Sequence, residues 1–381
     1  MRRQTRVSHY PSNEEGVVMK AALLLEVGAP LSVEEVELHG PRSQEVRVRV
    51  MASGLCHSDY HVMTGDLPLP GTSLPVLLGH EAAGIVEAVG EDVVDLRPGD
   101  RVVTSYSSYC GECPDCQMGY NNRCAVRPPV PLRESGSRIT WKGRPVLQAA
   151  DIGGFAEEIL IHRRAAVKIP EAVPFASAAL LGCGVLTGAG AAINGAKVQP
   201  GSSVVVIGCG GVGLNTIQGA RIAGAETIIA VDTSSTKIAM AREFGATAGV
   251  IAGPAAVNEV LERSKGGVDY AFEVVGLPSA LRDGFSMLRK HGTLVVVGMP
   301  KTGAEMSFPV LDMMWKNLRI ITSGMGDAPF QLFVPKLARF YLDGKLKLDE
   351  LVSNKIGLDE INDAYQVMLG GKVARSVVSF E

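Results

Sequence analysis

Four of the chain's seven cysteines fall within the fifteen residues 110–124, CGECPDCQMGYNNRC. Cys110, Cys113 and Cys116 are spaced three apart, and Cys124 follows eight later. A disulfide cluster, a redox CxxC pair and a metal site compete for such a stretch. An odd cysteine total fits a disulfide framework poorly, and a redox pair uses only two thiols. Four thiolates in one loop with glycine and proline can close around a single tetrahedral Zn²⁺, so the stretch reads as a structural zinc lobe. It is not a zinc ribbon, whose two CxxC units lie far apart.

A second group of reactive side chains is scattered. GLCHSDYH carries Cys56, His57, Ser58, Asp59 and His61; LLGHEAAG carries His80 and Glu81; LLGCGVLTG carries Cys183. Each taken alone has an ordinary reading, because a buried cysteine behaves as a small hydrophobe and a lone histidine as a satisfied polar group. Distance along the chain does not show whether these residues meet.

A third stretch is SSVVVIGCGGVGLNTIQGARIAGAETIIAVD. An apolar run at 203–207 enters Gly208, Cys209, Gly210, Gly211, Val212 and Gly213, and a helix is expected over about 214–223. A second apolar strand ends in Asp232, nineteen residues past the last glycine. GxGxxG between strand and helix, with an acid at that distance, is the dinucleotide fingerprint. The glycines admit a pyrophosphate to backbone N–H groups at a helix N-terminus. Asp232 would accept the adenosine ribose hydroxyls and repel a 2′-phosphate, which favours NAD over NADP. Lys237, one turn into the next helix, is placed to touch the same ribose, and Cys209 reads as apolar filler.

Elements able to position these groups follow from the pattern. Further strands are expected at 249–251, 269–274, 294–297 and 318–321, with helices between most of them, one being SSTKIAMAREFGA with a serine N-cap. With the first two they make the six strands of a doubly wound sheet. A length of 381 residues suits two domains. Composition is that of a globular protein, and a formal charge of −3 without a basic cluster argues against nucleic acid as a partner. No apolar run of eighteen residues stands out and no signal-peptide core precedes the fold, so no membrane partner and a cytoplasmic location are expected. Residues 1–18 are polar and read as a disordered extension, with the fold beginning at Met19.

With these motifs in this order, the chain over about 19–381 resembles the zinc-containing medium-chain alcohol dehydrogenases. The resemblance implies an α/β chain in which a GroES-like β-rich catalytic domain is interrupted by a Rossmann domain. The expected division is 19–186 with 326–381 for the former and 187–325 for the latter. It implies two zinc ions, one structural at Cys110, Cys113, Cys116 and Cys124 and one catalytic at Cys56, His80 and Cys183. Glu81 matches an acid discussed as a transient ligand, and Asp59 the carboxylate that steadies the histidine ligand. Ser58 matches the hydroxyl that touches the alcohol, and His61 the end of a relay through the cofactor ribose. His57 stands where many members carry a pyrophosphate-binding arginine. Thr187 and Val212 match positions beside the nicotinamide ring, and Arg375 matches another pyrophosphate contact.

The implied reaction is hydride transfer between an alcohol, or its aldehyde or ketone, and NAD(H). Two departures from familiar members stand out. GDLPLPGTSLP lengthens the span from Cys56 to His80, and a long loop, AVRPPVPLRESGSRITWKGRPVLQAADI, follows Cys124. The second is like that of dimeric enzymes and of thiol-dependent formaldehyde dehydrogenases, so a homodimer is expected, with a tetramer as the alternative. A glutathione- or mycothiol-dependent formaldehyde dehydrogenase or S-nitrosothiol reductase is the nearest rival, with Arg127 or Arg133 holding the thiol carrier. A non-enzymatic binding protein on this fold is opposed by the intact ligand and relay residues, and a zinc-dependent nucleic-acid binder by the acidic balance.

Overall fold

The structure, a computed structural model, describes residues 16–67, 74–106, 108–125, 138–371 and 373–381. Its strands make three sheets. The strands Val17–Leu24, Ser32–Leu38, Ile139–Trp141, Arg144–Gln148 and Val76–Leu77 close a small barrel. Beside it, a seven-stranded sheet runs in the order Ala166–Lys168, Arg101–Thr104, Glu81–Val89, Glu45–Gly54, Arg375–Ser379 and Val352–Ile356, with Glu158–His162 also paired to Glu45–Gly54. Strands from both ends of the chain therefore share one sheet, and the C-terminal segment returns to the N-terminal half.

The third sheet is parallel throughout, in the order Ala248–Ile251, Thr227–Asp232, Ser203–Ile207, Val268–Glu273, Leu288–Val296 and Arg319–Thr322. In chain order this is 3-2-1-4-5-6, the doubly wound pattern. Valines and isoleucines of the central strands are buried on both faces, as helices on each side require. The order reverses between Ser203–Ile207 and Val268–Glu273, and the carboxyl ends at such a reversal are where sheets of this kind bind ligands. The glycine loop leaves the sheet at that point.

Several expectations change. The first strand begins at Val17, which pairs with Leu38, so the last two residues of the expected extension belong to the barrel. The helix after the glycine loop is Gly211–Ile222 and starts three residues early, because the glycines themselves form its first turn. Part of the long loop after Cys124 is a hairpin, Ile139–Trp141 with Arg144–Gln148, that completes the barrel. Lys142 and Gly143 take left-handed conformations at its two-residue turn, as that turn type demands. Arg127, Arg133 and residues 68–73 of the other departure lie outside the described residues.

An uncharged apolar stretch was also overlooked. Phe175–Gly195 is helical over 21 residues, with mean hydropathy 1.7 in its best window, and is long and apolar enough to span a membrane. That window is 83% buried inside the fold, which is the signature of a core helix. It widens to π-helical turns at Leu181–Val185 and Ala191–Gly195. Its small residues let it lie close against Gly211–Ile222: a Cβ on Gly188 would strike Val212 O.

Candidate zinc and cofactor site

The helix His57–Met63 begins as the strand Glu45–Gly54 ends, so Cys56 sits at its N-cap with extended backbone. His80 and Glu81 stand where the strand Glu81–Val89 begins beside that strand, and Gly54 pairs with Glu81. Cys183 lies on the first π-helical turn of the core helix, and a Cβ on its neighbour Gly182 would strike Thr104 O. Three segments thus bring one ligand atom each from Cys56, His80 and Cys183, together with Glu81, within 4.8 Å of one another.

The polar groups around this cluster fix its chemistry. Asp59 Oδ2 lies 3.1 Å from His80 Nδ1 and its Oδ1 accepts the Gly79 N–H at 3.0 Å. A carboxylate on Nδ1 keeps the proton there and leaves Nε2 free as a ligand. Among the described residues that buried Nε2 has no hydrogen-bond partner of good geometry, though the Cys56 thiol is close enough to act on the ring. The two thiols share a proton: the hydrogen bond from Cys183 pulls Cys56 well below the ordinary thiol range, and the same bond and burial push Cys183 well above it. A thiolate and an imidazole nitrogen in a buried pocket are ligands a zinc ion takes, and the proton the two thiols share is what it displaces on binding. The residues present therefore fit a zinc ion with one position left for another ligand.

Glu81 is wholly buried, and desolvation raises its carboxyl to about 7 despite Arg375, whose Nη2 lies 3.4 Å from Glu81 Oε1. Arg375 Nη1 donates to Leu55 O at 3.0 Å, and the guanidinium also packs on Gly211 at the start of the glycine-loop helix. One buried cation therefore touches both the metal cluster and the glycine loop. Arg375 was expected on a cofactor pyrophosphate, and its link to Glu81 was not foreseen.

Gly208 adopts φ +99°, and a Cβ on Gly213 would collide with Gly208 O, so both positions require glycine. Gly210 has open space where its Cβ would be, which leaves the cradle in front of the helix N-terminus empty of protein. Asp232 Oδ2 accepts the Cys209 N–H at 2.8 Å and its Oδ1 the Ser234 N–H at 3.0 Å, so the acid ties the second strand to the glycine loop. Oδ2 keeps a lone pair for a ribose, while Oδ1 also faces the Thr233 hydroxyl at 3.5 Å. Ser234 caps the next helix by accepting the Lys237 N–H. Loss of water first, then the charges of Arg375 and Lys237, hold the His57 ring below the usual histidine value, while Cys56 opposes them. Three basic side chains therefore converge near the cradle, which suits an anionic cofactor.

The lobe is built from its own loop. Cys110, Cys113, Cys116 and Cys124 are all free thiols whose sulfurs lie 3.5–3.9 Å apart in the pairs Cys110–Cys124, Cys110–Cys116 and Cys113–Cys124. The Glu112 and Cys113 N–H groups donate to Cys110 Sγ, and the Cys116 N–H holds the Cys113 thiol down at about 6. Backbone amides aimed at sulfur favour thiolates, so this lobe fits zinc as well.

The alcohol dehydrogenase GroES-like domain model matches residues 42–171, and the zinc-binding dehydrogenase model matches 211–339. The chain is 36% identical to an alcohol dehydrogenase zinc-binding domain protein from Burkholderia ambifaria, with a TM-score of 0.90 over 96% of this chain and 100% of that one. It is 33% identical to benzyl alcohol dehydrogenase from Acinetobacter calcoaceticus, with a TM-score of 0.87 over 96% and 100% of the two chains. A zinc-binding dehydrogenase from Sinorhizobium meliloti 1021, solved bound to NADP, is 30% identical, with a TM-score of 0.78 over 95% and 99%. The chain belongs to the zinc-containing alcohol dehydrogenases of the medium-chain superfamily.

For a zinc alcohol dehydrogenase, the remaining expected residues lie around the cleft. Ser58 and His61 are three apart on one helix and so share a face, with Ser58 Oγ 3.7 Å from Cys56 Sγ. Thr187 lies on the core helix, its Oγ1 3.8 Å from Met325 Sδ, and Val212 packs across from Gly188. Sequence reasoning missed Tyr106, whose ring stands edge-on to His80 with centroids 5.0 Å apart. It also missed Arg164, which donates to Cys110 O and anchors the lobe, and Asp327, which accepts from Asn122 Nδ2 at 3.1 Å and from Arg123. Nothing in local spacing signals these partners.

Proposed function

We propose that this zinc alcohol dehydrogenase transfers a hydride between an alcohol, or the matching aldehyde or ketone, and NAD(H). Cys56, His80 and Cys183 would hold a catalytic zinc, with Glu81 beside it, and the lobe a structural one. The observation that carries this reading is the buried Cys56/His80/Cys183 cluster, whose ligand atoms lie within 4.8 Å of one another, joined through Arg375 to the glycine loop. Zinc supplies a Lewis acid that eases loss of an alcohol's proton near neutral pH, and NAD a hydride acceptor. The chain's own residues do the rest. Asp59 aims His80, Ser58 Oγ takes up the alcohol's proton, and His61 at the cleft edge releases it to solvent. Asp232 favours NAD because its carboxylate would lie against a 2′-phosphate.

The division we propose is 17–186 with 326–381 for the catalytic half, the lobe included, and 187–325 for the cofactor half. The core helix Phe175–Gly195 crosses the first boundary without a break. A homodimer through Arg319–Thr322 is supported by that strand's place at the sheet edge and by the exposure of Val310, Leu311, Met314 and Trp315 beside it. Light scattering that finds a tetramer would overturn it.

A panel of alcohols assayed with NAD⁺ or NADP⁺, with and without glutathione or mycothiol, tests the function. Turnover with NAD⁺ and no thiol is expected; dependence on the thiol would favour the formaldehyde dehydrogenase reading. Asp232→Gly should narrow the NAD⁺ preference in kcat/KM by roughly tenfold or more, the size of a charge placed against phosphate. Equal use of NADP⁺ by the unmodified protein would remove the role given to Asp232.

A further inference from the structure

After the helix His57–Met63 the chain turns sharply, and the Leu67 N–H donates to His61 O at 3.0 Å. That turn carries Asp66 back to the imidazole, where its Oδ2 lies 3.5 Å from His61 Nδ1. This nitrogen is shut off from solvent, and among the described residues no hydrogen-bond acceptor lies closer to it than Asp66. The Thr64 hydroxyl donates to the same Asp66 oxygen at 3.2 Å and steadies it. The other oxygen, Oδ1, accepts from Lys301 Nζ at 3.1 Å. Lys301 is 235 residues away, on the loop that follows Leu288–Val296 of the parallel sheet. A cation, an anion and an imidazole are thus lined up across the cleft, the cation from one half and the other two from the other. The Lys301 bond is the largest of the effects that hold the Asp66 carboxyl below its ordinary value. His57, one turn back on the same helix, feels the charges of His61, Arg375 and Lys237.

We propose that Asp66 is a positioning residue for His61, and that Lys301 tempers it from across the cleft. The inference rests on the reading of His61 as the group that releases the alcohol's proton. Asp66 keeps the imidazole proton on Nδ1, so that Nε2 is the nitrogen that accepts a proton, as Asp59 does for His80. Lys301, from the other half of the chain, offsets part of the Asp66 charge.

Charge removal at the two ends of the chain must act in opposite directions. Asp66→Asn leaves Lys301 unopposed beside the imidazole, so His61 should titrate at lower pH than in the unmodified protein. Lys301→Met leaves Asp66 uncompensated, so His61 should titrate at higher pH. Each change should be roughly threefold in proton affinity, the scale of one partly screened charge. The His61 imidazole is followed by NMR in the zinc-loaded protein, with His61→Gln used to assign its signal, and the acid limb of turnover against pH is measured on the same samples. Lys301→Arg should restore the unmodified behaviour. Opposite movements of the NMR midpoint support the proposal. Movements in one direction, or none in variants of unchanged Tm, overturn it. If the midpoints move oppositely while the acid limb of turnover stays fixed, the Lys301–Asp66–His61 chain stands and the proton-release role of His61 falls.

Discussion

The two sulfur clusters of this chain share an element and little else. The lobe takes four ligands from fifteen residues of one loop, and three of its cysteines are only partly buried. The second cluster takes its ligands from three segments spread over residues 56–183 and buries them in the body of the fold. The lobe's thiols are served by backbone amides from its own turns. The second cluster is served by side chains, with Asp59 on His80 and Arg375 on Glu81. A site that only has to hold a metal can be encoded locally and complete itself. A site that must leave room for a reactant is assembled by the fold, and each of its ligands depends on a neighbour.

The largest predicted effects break this pair apart. Cys183→Ala should lower turnover at least a thousandfold and reduce bound zinc by one, with Tm close to that of the unmodified protein. Cys110→Ser should do the reverse. Opening a closed structural site costs several kcal/mol, which lowers Tm by roughly 10 °C in a domain of this size, while the folded fraction keeps its turnover. Metal analysis, thermal unfolding and kinetics on both variants decide it; a Cys110→Ser enzyme of normal stability would show that the lobe is ornamental to the fold. Chelation sharpens the contrast, because burial and ligand count point opposite ways. Four thiolates without an open position should hold longer than two thiolates and an imidazole, so the buried site should lose zinc first.

Arg375→Met should have the next largest effect. It strands Glu81, which is fully buried, without its ion-pair partner. Removing one member of such a pair typically costs about 3 kcal/mol. Because the same guanidinium packs on Gly211, cofactor affinity should fall with it, while the lobe keeps its zinc. Calorimetric unfolding with and without NAD⁺ separates the two losses. A variant of unchanged stability would mean that Glu81 is already neutral and that Arg375 serves the cofactor alone.

The contrast also explains what could be read before the fold was known. Cys110 to Cys124 and Gly208 to Asp232 each carry their meaning in spacing, because each is made by a few consecutive turns. All six of the parallel strands announced themselves as apolar runs. The core helix did not, because a helix buried all round has no polar face and its glycines suggest a loop. That helix carries Cys183, and a family resemblance was needed to connect it with Cys56 and His80. The hairpin 139–148 was hidden behind arginines, prolines and a KG turn that read as loop. Arg164 and Asp327 were invisible for a simpler reason: each acts on a residue far away in the sequence, 54 residues for the Arg164 bond to Cys110 and 204 for the Asp327 pairing with Arg123.

The smallest predicted effect tests the lobe's attachment. His162 Nδ1 accepts the Arg164 N–H at 3.1 Å, which shapes the turn that delivers the Arg164 guanidinium to Cys110 O. Burial, then the charges of Arg164 and Arg163, push His162 down to about 4. Above the ordinary histidine value of about 6.5 the ring is neutral in both folded and unfolded chains, and pH has no leverage through it. As pH falls from there towards 4, the unfolded chain binds a proton that the folded one refuses, so stability is lost across that window and levels off below it. The loss should be on the order of 2 kcal/mol, and a protonated Nδ1 can no longer accept the Arg164 N–H. His162→Asn keeps an acceptor for that N–H but cannot titrate. It should cost about 1 kcal/mol near neutral pH and then close the gap on the unmodified protein, or overtake it, at pH 4.5. Urea unfolding of both proteins at several pH values measures this. Parallel curves would show that His162 does not carry the acid response, and the lobe's anchor would then be indifferent to pH down to the range where its own thiolates protonate.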